Sequence, residues 1–158
     1  MSIEIESVAS CDADPSDVRQ LVAVFDRFIP LFSRYMHEAL SEADTSPARL
    51  RILRNLNANG PSAMQSLAEG LCVAPRTITS LVDGLEEEGL VVRKPHPTDR
   101  RTRVIEMTEA GKLAYARTES VFEKTLADLL GSLPKDVRWG LLEGQRRLVE
   151  KLSERSKL

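Results

Sequence analysis

The stretch from Val73 to Met107 constrains the fold of this chain more than any other. It reads as an amphipathic helix that ends at a glycine, a short apolar strand, a turn rich in proline and arginine, and a second strand. Two strands joined by a turn are marginal alone and need packing against helices. The pattern therefore predicts a helix that can enter a DNA groove, followed by a β-hairpin wing.

The helix of this stretch is predicted to run from Pro75 to about Glu88, where Gly89 ends it. Its apolar residues recur at offsets of three, four and seven, which places them on one buried face. The other face and its flanks carry short polar groups and one arginine, which can lie close to base edges. We interpret them as the DNA-contacting set, which consists of Pro75, Arg76, Thr77, Thr79 and Ser80.

The predicted wing concentrates positive charge. Although the whole chain has a net charge of -2, the segment from 93 to 103 holds one acid, Asp99, among its cations, which are Arg93, Lys94, Arg100, Arg101 and Arg103. An acidic body with a basic projection fits a protein that touches DNA through one surface. We predict that Arg93, Asp99, Arg100 and Arg101 form the DNA-binding set of the wing. Arg93 and Lys94 could instead pair with Glu86–Glu88, and we favour pairing for Lys94. The Glu86–Glu88 run itself is interpreted as a solvated helix end.

Two predicted helices precede this stretch and complete a helix-turn-helix. Ser46 caps the first, and its apolar residues follow at Leu50, Ile52, Leu53 and Leu56. Ser62 and Gln65 match a capping box for the second, which runs from Met64 to about Leu71. Three residues, Cys72 to Ala74, then form the tight turn before Pro75.

Long amphipathic helices flank this region on both sides. The first is predicted to start at Asp14 and Pro15 and to kink at Pro30, and the last starts at Pro134. Their apolar stripes exceed what one small core needs, so we expect them to pair across a two-fold axis. The expected organisation is a loose arm (1–13), an N-terminal dimerisation helix (14–45), a winged helix-turn-helix (46–112) and C-terminal dimerisation helices (113–158).

Composition argues against several other classes of protein. The 158 residues contain no run of about 18 uncharged apolar residues. The N-terminus lacks the pattern of a signal peptide, which leads us to expect a cytoplasmic protein. The two cysteines form no CxxC pair, and there is no phosphate-binding glycine loop or nucleophile motif. We therefore expect no cofactor, no metal, no membrane partner and no enzymatic activity.

From Ala48 to Lys112 the chain resembles the MarR family of bacterial winged-helix transcriptional regulators. Each fragment of the match is weak alone, but their order and spacing over some sixty residues make a specific signal. The matching fragments are Arg51–Leu56, Leu67–Ala68, Val73, Thr77–Thr79, Leu81–Glu86, Gly89–Arg93, Asp99–Arg101 and Met107–Gly111.

The resemblance implies a mostly α protein with a small β-hairpin that binds a pseudo-palindromic operator as a homodimer, usually as a repressor. It further implies release by a small apolar or phenolic effector. By resemblance, Arg101 reaches into the minor groove while Asp99 holds its guanidinium, and Arg100 contacts phosphate or solvent. Many members carry a basic residue where this chain has Ser80 and Gly84. We therefore expect the wing to contribute more to DNA binding than the helix does.

Two alternatives remain open. The missing cations and the net charge favour, slightly, a winged-helix module that binds protein rather than DNA. Cys11 could make the chain a redox-sensing regulator, although no cation between Cys11 and Val18 would lower the pKa of its thiol. Cys72 is expected to be a small buried residue of the helix-turn-helix turn.

Overall fold

The fold is mostly helical, with one small antiparallel sheet. A computed structural model describes residues 14–96 and 103–155. In chain order the elements of this part are α1 (Pro15–Ser41), α2 (Pro47–Asn59), β1 (Ser62–Ala63), α3 (Met64–Leu71), α4 (Pro75–Glu87), β2 (Val91–Pro95), β3 (Arg103–Met107), α5 (Glu109–Gly131) and α6 (Lys135–Arg155). The predicted fold class, mostly α with a hairpin after the fourth helix, is confirmed.

The chain divides into two compact units, Met1–Met36 and His37–Leu158. In the first unit, helix α1 begins as predicted: Asp14 Oδ1 accepts a hydrogen bond from the Ser16 N–H at 2.8 Å. This bond lowers the pKa of Asp14, because it stabilises the carboxylate. The helix continues through Pro30. Its exposed apolar residues are Val18, Leu21, Val22, Val24, Phe25, Phe28, Ile29, Leu31 and Tyr35.

An aliphatic cluster in the second unit joins three helices to the sheet. Full burial of one such side chain contributes roughly 1.5–3 kcal/mol, so this cluster dominates the stability of the unit. Met64 and Leu81 lie at its edge and are only partly buried. The buried members are Ile52, Leu53, Leu56, Leu67, Ala68, Leu71, Ile78, Val82, Leu85, Val91 and Ile105.

The sheet has three strands in the order β1-β3-β2, and both pairings are antiparallel. Strand β1 was not predicted, and the predicted capping box at Ser62 is wrong. Ser62 pairs with Ile105 in the sheet, and its hydroxyl donates to the Gly60 carbonyl at 3.0 Å. Gln65 Nε2 donates to Glu69 Oε1 rather than reaching back to the helix start. Helix α3 thus begins directly from a strand, with Ala63 at its N-cap.

The end of α4, the start of β2 and the start of α5 meet at one tight junction. Gly89 has a φ of 70°, the left-handed conformation that glycine adopts without strain, as predicted for the helix stop. The Thr108 hydroxyl donates to the Gly89 carbonyl at 2.7 Å and accepts from the Gly111 N–H at 3.0 Å. Thr108 N–H donates to the Leu90 carbonyl at 3.0 Å. The cap of α5 therefore also fixes the base of the hairpin.

The last two helices differ in how they pack. Helix α5 is joined to α2 by Arg54, whose guanidinium binds the Glu119 carboxylate at 2.7 and 2.9 Å and lies 4.0 Å from the Phe122 ring centroid. Helix α6 has no buried residue. Its exposed apolar residues are Val137, Trp139, Leu141, Leu142, Leu148, Val149 and Leu152. Among the described residues, no helix combines the length and the apolar character that crossing a membrane requires.

Gly111→Ala should destabilise the fold strongly. A β-carbon at position 111 would lie 2.0 Å from the Leu90 carbonyl oxygen and 2.7 Å from Met107 Cγ, and the backbone oxygen cannot move without breaking its bond to Thr108. We expect a loss of roughly 2–3 kcal/mol in urea unfolding. The matched control is Gly144→Ala, where nothing lies within 4 Å, and which should gain roughly 0.5–1 kcal/mol. Equal stability of the two variants would contradict the tight junction.

Candidate nucleic-acid interface

Helix α3, a three-residue turn and helix α4 form a helix-turn-helix. The turn is held from outside by Arg51 of α2, whose Nη2 donates to the Leu71 carbonyl at 2.7 Å. Cys72 occupies the left-handed conformation, with a φ of 52°. The prediction that Cys72 is buried is wrong: its thiol is exposed, because Leu71 fills the core beneath the turn.

The five residues predicted to contact DNA from α4 are all exposed: Arg76 and Ser80 lie opposite the buried face, and Thr77 and Thr79 lie on its two flanks. Burial of Ile78, Val82 and Leu85 fixes the rotation of α4 about its axis, so the opposite side must face outward. The Thr79 hydroxyl donates to the Pro75 carbonyl at 3.0 Å within the same helix. The Thr79 hydroxyl oxygen remains able to accept a hydrogen bond.

The second half of α4 and the residue after it are acidic, with Asp83, Glu86, Glu87 and Glu88 in succession along the helix. Such a run would repel DNA phosphates if all four carboxylates were free. Two other elements supply arginines that bind three of these carboxylates.

Arg93, in the middle of β2, binds the first two of these acids. Its guanidinium donates to Asp83 Oδ1 through Nη2 and to Glu86 Oε2 through Nη1. The Arg93 N–H also donates to Glu86 Oε1 at 3.2 Å. The hydrogen bond to Asp83 is the main cause that raises the pKa of Arg93 above its ordinary value. We call these three residues the Arg93 cluster.

Arg49 of α2 binds the last acid. Its Nη1 lies 2.7 Å from Glu88 Oε1, and its Nη2 would be 2.8 Å from a β-carbon at position 84. Gly84 thus leaves the space that the Arg49 guanidinium occupies. The Glu86–Glu88 run is a solvent-exposed or partly exposed helix end, as interpreted from the sequence, and Glu86 and Glu88 are in addition paired with arginines. Pairing of Arg93 with Glu86 is the alternative left open by the sequence, whereas the pairs Arg93–Asp83 and Arg49–Glu88 were not predicted.

Lys94 is paired, as favoured from the sequence, but not with the helix. Its Nζ lies 2.8 Å from Glu106 Oε1 on β3. The register places Lys94 opposite Val104 and Val92 opposite Glu106, so the two charged side chains are diagonal neighbours on one face of the hairpin. The prediction that Lys94 pairs with Glu86–Glu88 is therefore wrong, because Lys94 binds a carboxylate of β3 and not one at the end of α4.

The wing tip falls outside the described residues. Asp99, Arg100 and Arg101 all belong to the segment 97–102, so their roles stay predictions from the sequence. In the described part of the hairpin, the pair nearest to this segment is Pro95–Arg103. Within the residues that the structure covers, no group of three His, Cys, Asp or Glu side chains could hold a metal ion.

Comparison with known proteins gives one family. The model described as "MarR family" matches residues 45–102, a range that contains α2, β1, α3, α4 and β2 and ends before β3. The chain is 27% identical over 128 residues to the HTH-type transcriptional repressor MdtR of Bacillus subtilis, covering 80% of each protein. It is 32% identical over 127 residues to a protein of Thauera aromatica. That protein is named, provisionally, as the transcriptional regulatory protein for the hcr operon. That match covers 80% of this chain and 76% of the relative.

A solved structure supports the same fold. The transcriptional regulator BldR from Sulfolobus solfataricus superposes with a TM-score of 0.75 at 24% identity. The match covers 88% of this chain and 99% of that structure. The match therefore extends beyond the helix-turn-helix and the hairpin.

The contact between Gly84 and Arg49 can be tested by a double-mutant cycle. Alanine at an exposed helix position gains about 1 kcal/mol over glycine. We expect this gain for Gly84→Ala in an Arg49→Ala background, whereas with Arg49 present the gain should fall below about 0.5 kcal/mol, because the guanidinium must move. Urea unfolding measures both. Equal gains in the two backgrounds would show that Arg49 does not occupy this space.

Proposed function

The chain belongs to the MarR family of transcriptional regulators, and we propose that it represses transcription as a homodimer bound to a pseudo-palindromic operator. One observation carries the proposal: helix α4 buries Ile78, Val82 and Leu85 against the core and leaves Arg76 and Ser80 exposed on the opposite side. A side chain set of this kind is small enough to approach base edges and carries one strong donor.

In this proposal the first half of α4 enters the major groove. Arg76 can bind a guanine through O6 and N7, and the hydroxyls of Thr77, Thr79 and Ser80 can contact bases or phosphates. Pro75 starts the helix and can contact a thymine methyl group. The acidic second half of α4 lies away from these five residues along the helix. Its pairing with Arg93 and Arg49 lowers the repulsion that phosphates would meet.

The wing supplies the second set of contacts. We propose that Arg101 enters the adjacent minor groove, that Asp99 orients its guanidinium, and that Arg100 binds a phosphate. A narrow minor groove rich in A·T pairs has an enhanced negative potential, which favours an inserted arginine. These three residues are assigned from sequence. Arg93 was assigned to the same contact set, but its guanidinium is already bound by two carboxylates.

A second copy of the chain is the proposed partner of the flanking helices. Trp139 is 60% exposed and Leu152 is 62% exposed, on a helix that buries nothing within its own chain. Helix α1 likewise exposes a run of apolar side chains. Water contact of this much apolar surface is unfavourable, which supports burial in a dimer. Two copies would present two α4 helices, as an inverted repeat requires.

Repression and release by an effector are the finer parts of the proposal. The name of the relative MdtR describes that protein as a repressor, which supports the first. The second, a small apolar or phenolic effector, follows from the family resemblance. Electrophoretic mobility shifts with and without simple phenols would test release.

A protein-interaction module is the second candidate, and the acidic second half of α4 favours it. Binding to random-sequence duplex DNA at low salt discriminates the two. A DNA-binding wing should give weak affinity that falls steeply as salt rises, because phosphate contacts release counterions. No binding at any salt concentration would support the interaction module.

Arg101→Ala should weaken operator binding by about 1–3 kcal/mol, since it removes the minor-groove contact. Arg100→Ala is the matched control, since it also removes one positive charge. It should mainly reduce the slope of log affinity against log salt concentration, by about one unit. Gel shifts at matched salt measure both variants. Unchanged affinity of Arg101→Ala would rule out the role of the wing tip.

A further inference from the structure

The Arg93 cluster joins the base of the wing to helix α4. Strand β2 is an edge strand, since the sheet order is β1-β3-β2. An edge strand leaves alternate N–H groups unpaired. The N–H of Arg93 points away from β3 and donates to Glu86 Oε1 at 3.2 Å. A side chain of helix α4 thus accepts the hydrogen bond of an N–H group that the sheet leaves unpaired.

The guanidinium adds two further bonds between the same elements. Asp83 and Glu86 are three residues apart and so lie side by side on one flank of α4. The planar fork of an arginine can bind both carboxylates at once, which a lysine ammonium cannot do with the same geometry. The Arg93 side chain is 23% exposed and the Asp83 side chain is 49% exposed, so water and salt partly screen these bonds.

We propose that Arg93 is a positioning residue that fixes the wing against helix α4, so that both elements meet DNA as one rigid surface. Asp83 and Glu86 are its partners in this role. The inference rests on the proposed DNA-binding function and revises the assignment of Arg93 as a direct DNA contact. A phosphate could reach the Arg93 guanidinium only by displacing a carboxylate that already holds it.

Two variants distinguish a positioning role from a purely electrostatic one by the direction in which each changes DNA affinity. Arg93→Lys keeps the positive charge, so a phosphate ligand would tolerate it, whereas a bridge between two carboxylates would not. Asp83→Asn removes a negative charge near DNA, so electrostatics alone predicts tighter binding. A positioning role predicts weaker binding for both variants.

The test uses the full-length protein and the duplex that wild-type protein enriches most from a random pool. We expect Arg93→Lys and Asp83→Asn to bind it roughly threefold to thirtyfold more weakly at matched salt, the range for a partly exposed charge-assisted hydrogen bond. Hydroxyl-radical footprints should lose protection at the sugars flanking each half-site, where the wing lies. Protection in the centre of each half-site, from α4, should persist.

Glu106→Gln is the matched control. It also removes one carboxylate from an ion pair on the hairpin, the pair with Lys94, but that pair joins β2 to β3 and does not touch α4. Its affinity should stay within about twofold of wild type, and its footprint should not change. If Arg93→Lys folds poorly in thermal melts, Asp83→Asn carries the test alone, because its expected sign opposes electrostatics.

Two results would overturn the inference, and they differ from failure of the proposed function. Wild-type affinity and footprint for Arg93→Lys would make Arg93 a direct phosphate ligand. Tighter binding of Asp83→Asn would make Asp83 an ordinary repelling charge. If instead wild-type protein enriches no sequence from the pool, the proposed DNA-binding function fails and this inference fails with it.

Discussion

The burial of one aliphatic face of helix α4 is the constraint on which the rest of the structure depends. Ile78 is 1% exposed, and Val82 and Leu85 are fully buried. They pack into the cluster that α2, α3 and the sheet complete. Because three large side chains on one face leave the helix no freedom to rotate, the residues on the other side have a fixed direction. Truncating Ile78 or Leu85 to alanine would cost about 2–5 kcal/mol and loosen that direction.

Charge is arranged around this helix so that a chain of net charge -2 can still present a DNA-binding surface. Three of the four carboxylates in this acidic run are paired within the protein: Asp83 and Glu86 with Arg93, and Glu88 with Arg49. Of the other wing cations, Lys94 is paired with Glu106, and Arg100 and Arg101 belong to the segment 97–102, outside the described residues. The local balance of charge therefore differs between the two halves of the helix, and only the first half has the neutral and basic character that base readout needs.

Elements set by local periodicity were predictable from the sequence, and contacts between distant elements were not. The offsets of Ile78, Val82 and Leu85 placed α4 within one residue of its observed end, and Gly89 marked the stop. Strand β1 was not predicted, because two residues are too few to show an alternating pattern. A capping-box pattern at Ser62 suggested the start of a helix instead. The Arg93 cluster depends on how β2 lies beside α4, which no spacing rule encodes. Of the site, the α4 residues were placed correctly on the exposed side, whereas the wing-tip residues Asp99, Arg100 and Arg101 lie outside the described part of the chain.

Selection of bound sequences from a pool of random duplex DNA tests the central claim most directly. The full-length protein would be incubated with the pool at moderate salt, and the retained duplexes amplified and sequenced. A homodimer with one α4 helix per half-site should enrich an inverted repeat whose half-sites lie about one helical turn apart, roughly 34–36 Å. Enrichment of a single half-site without its repeat would contradict the dimer, and recovery of no preferred sequence would contradict sequence-specific binding itself.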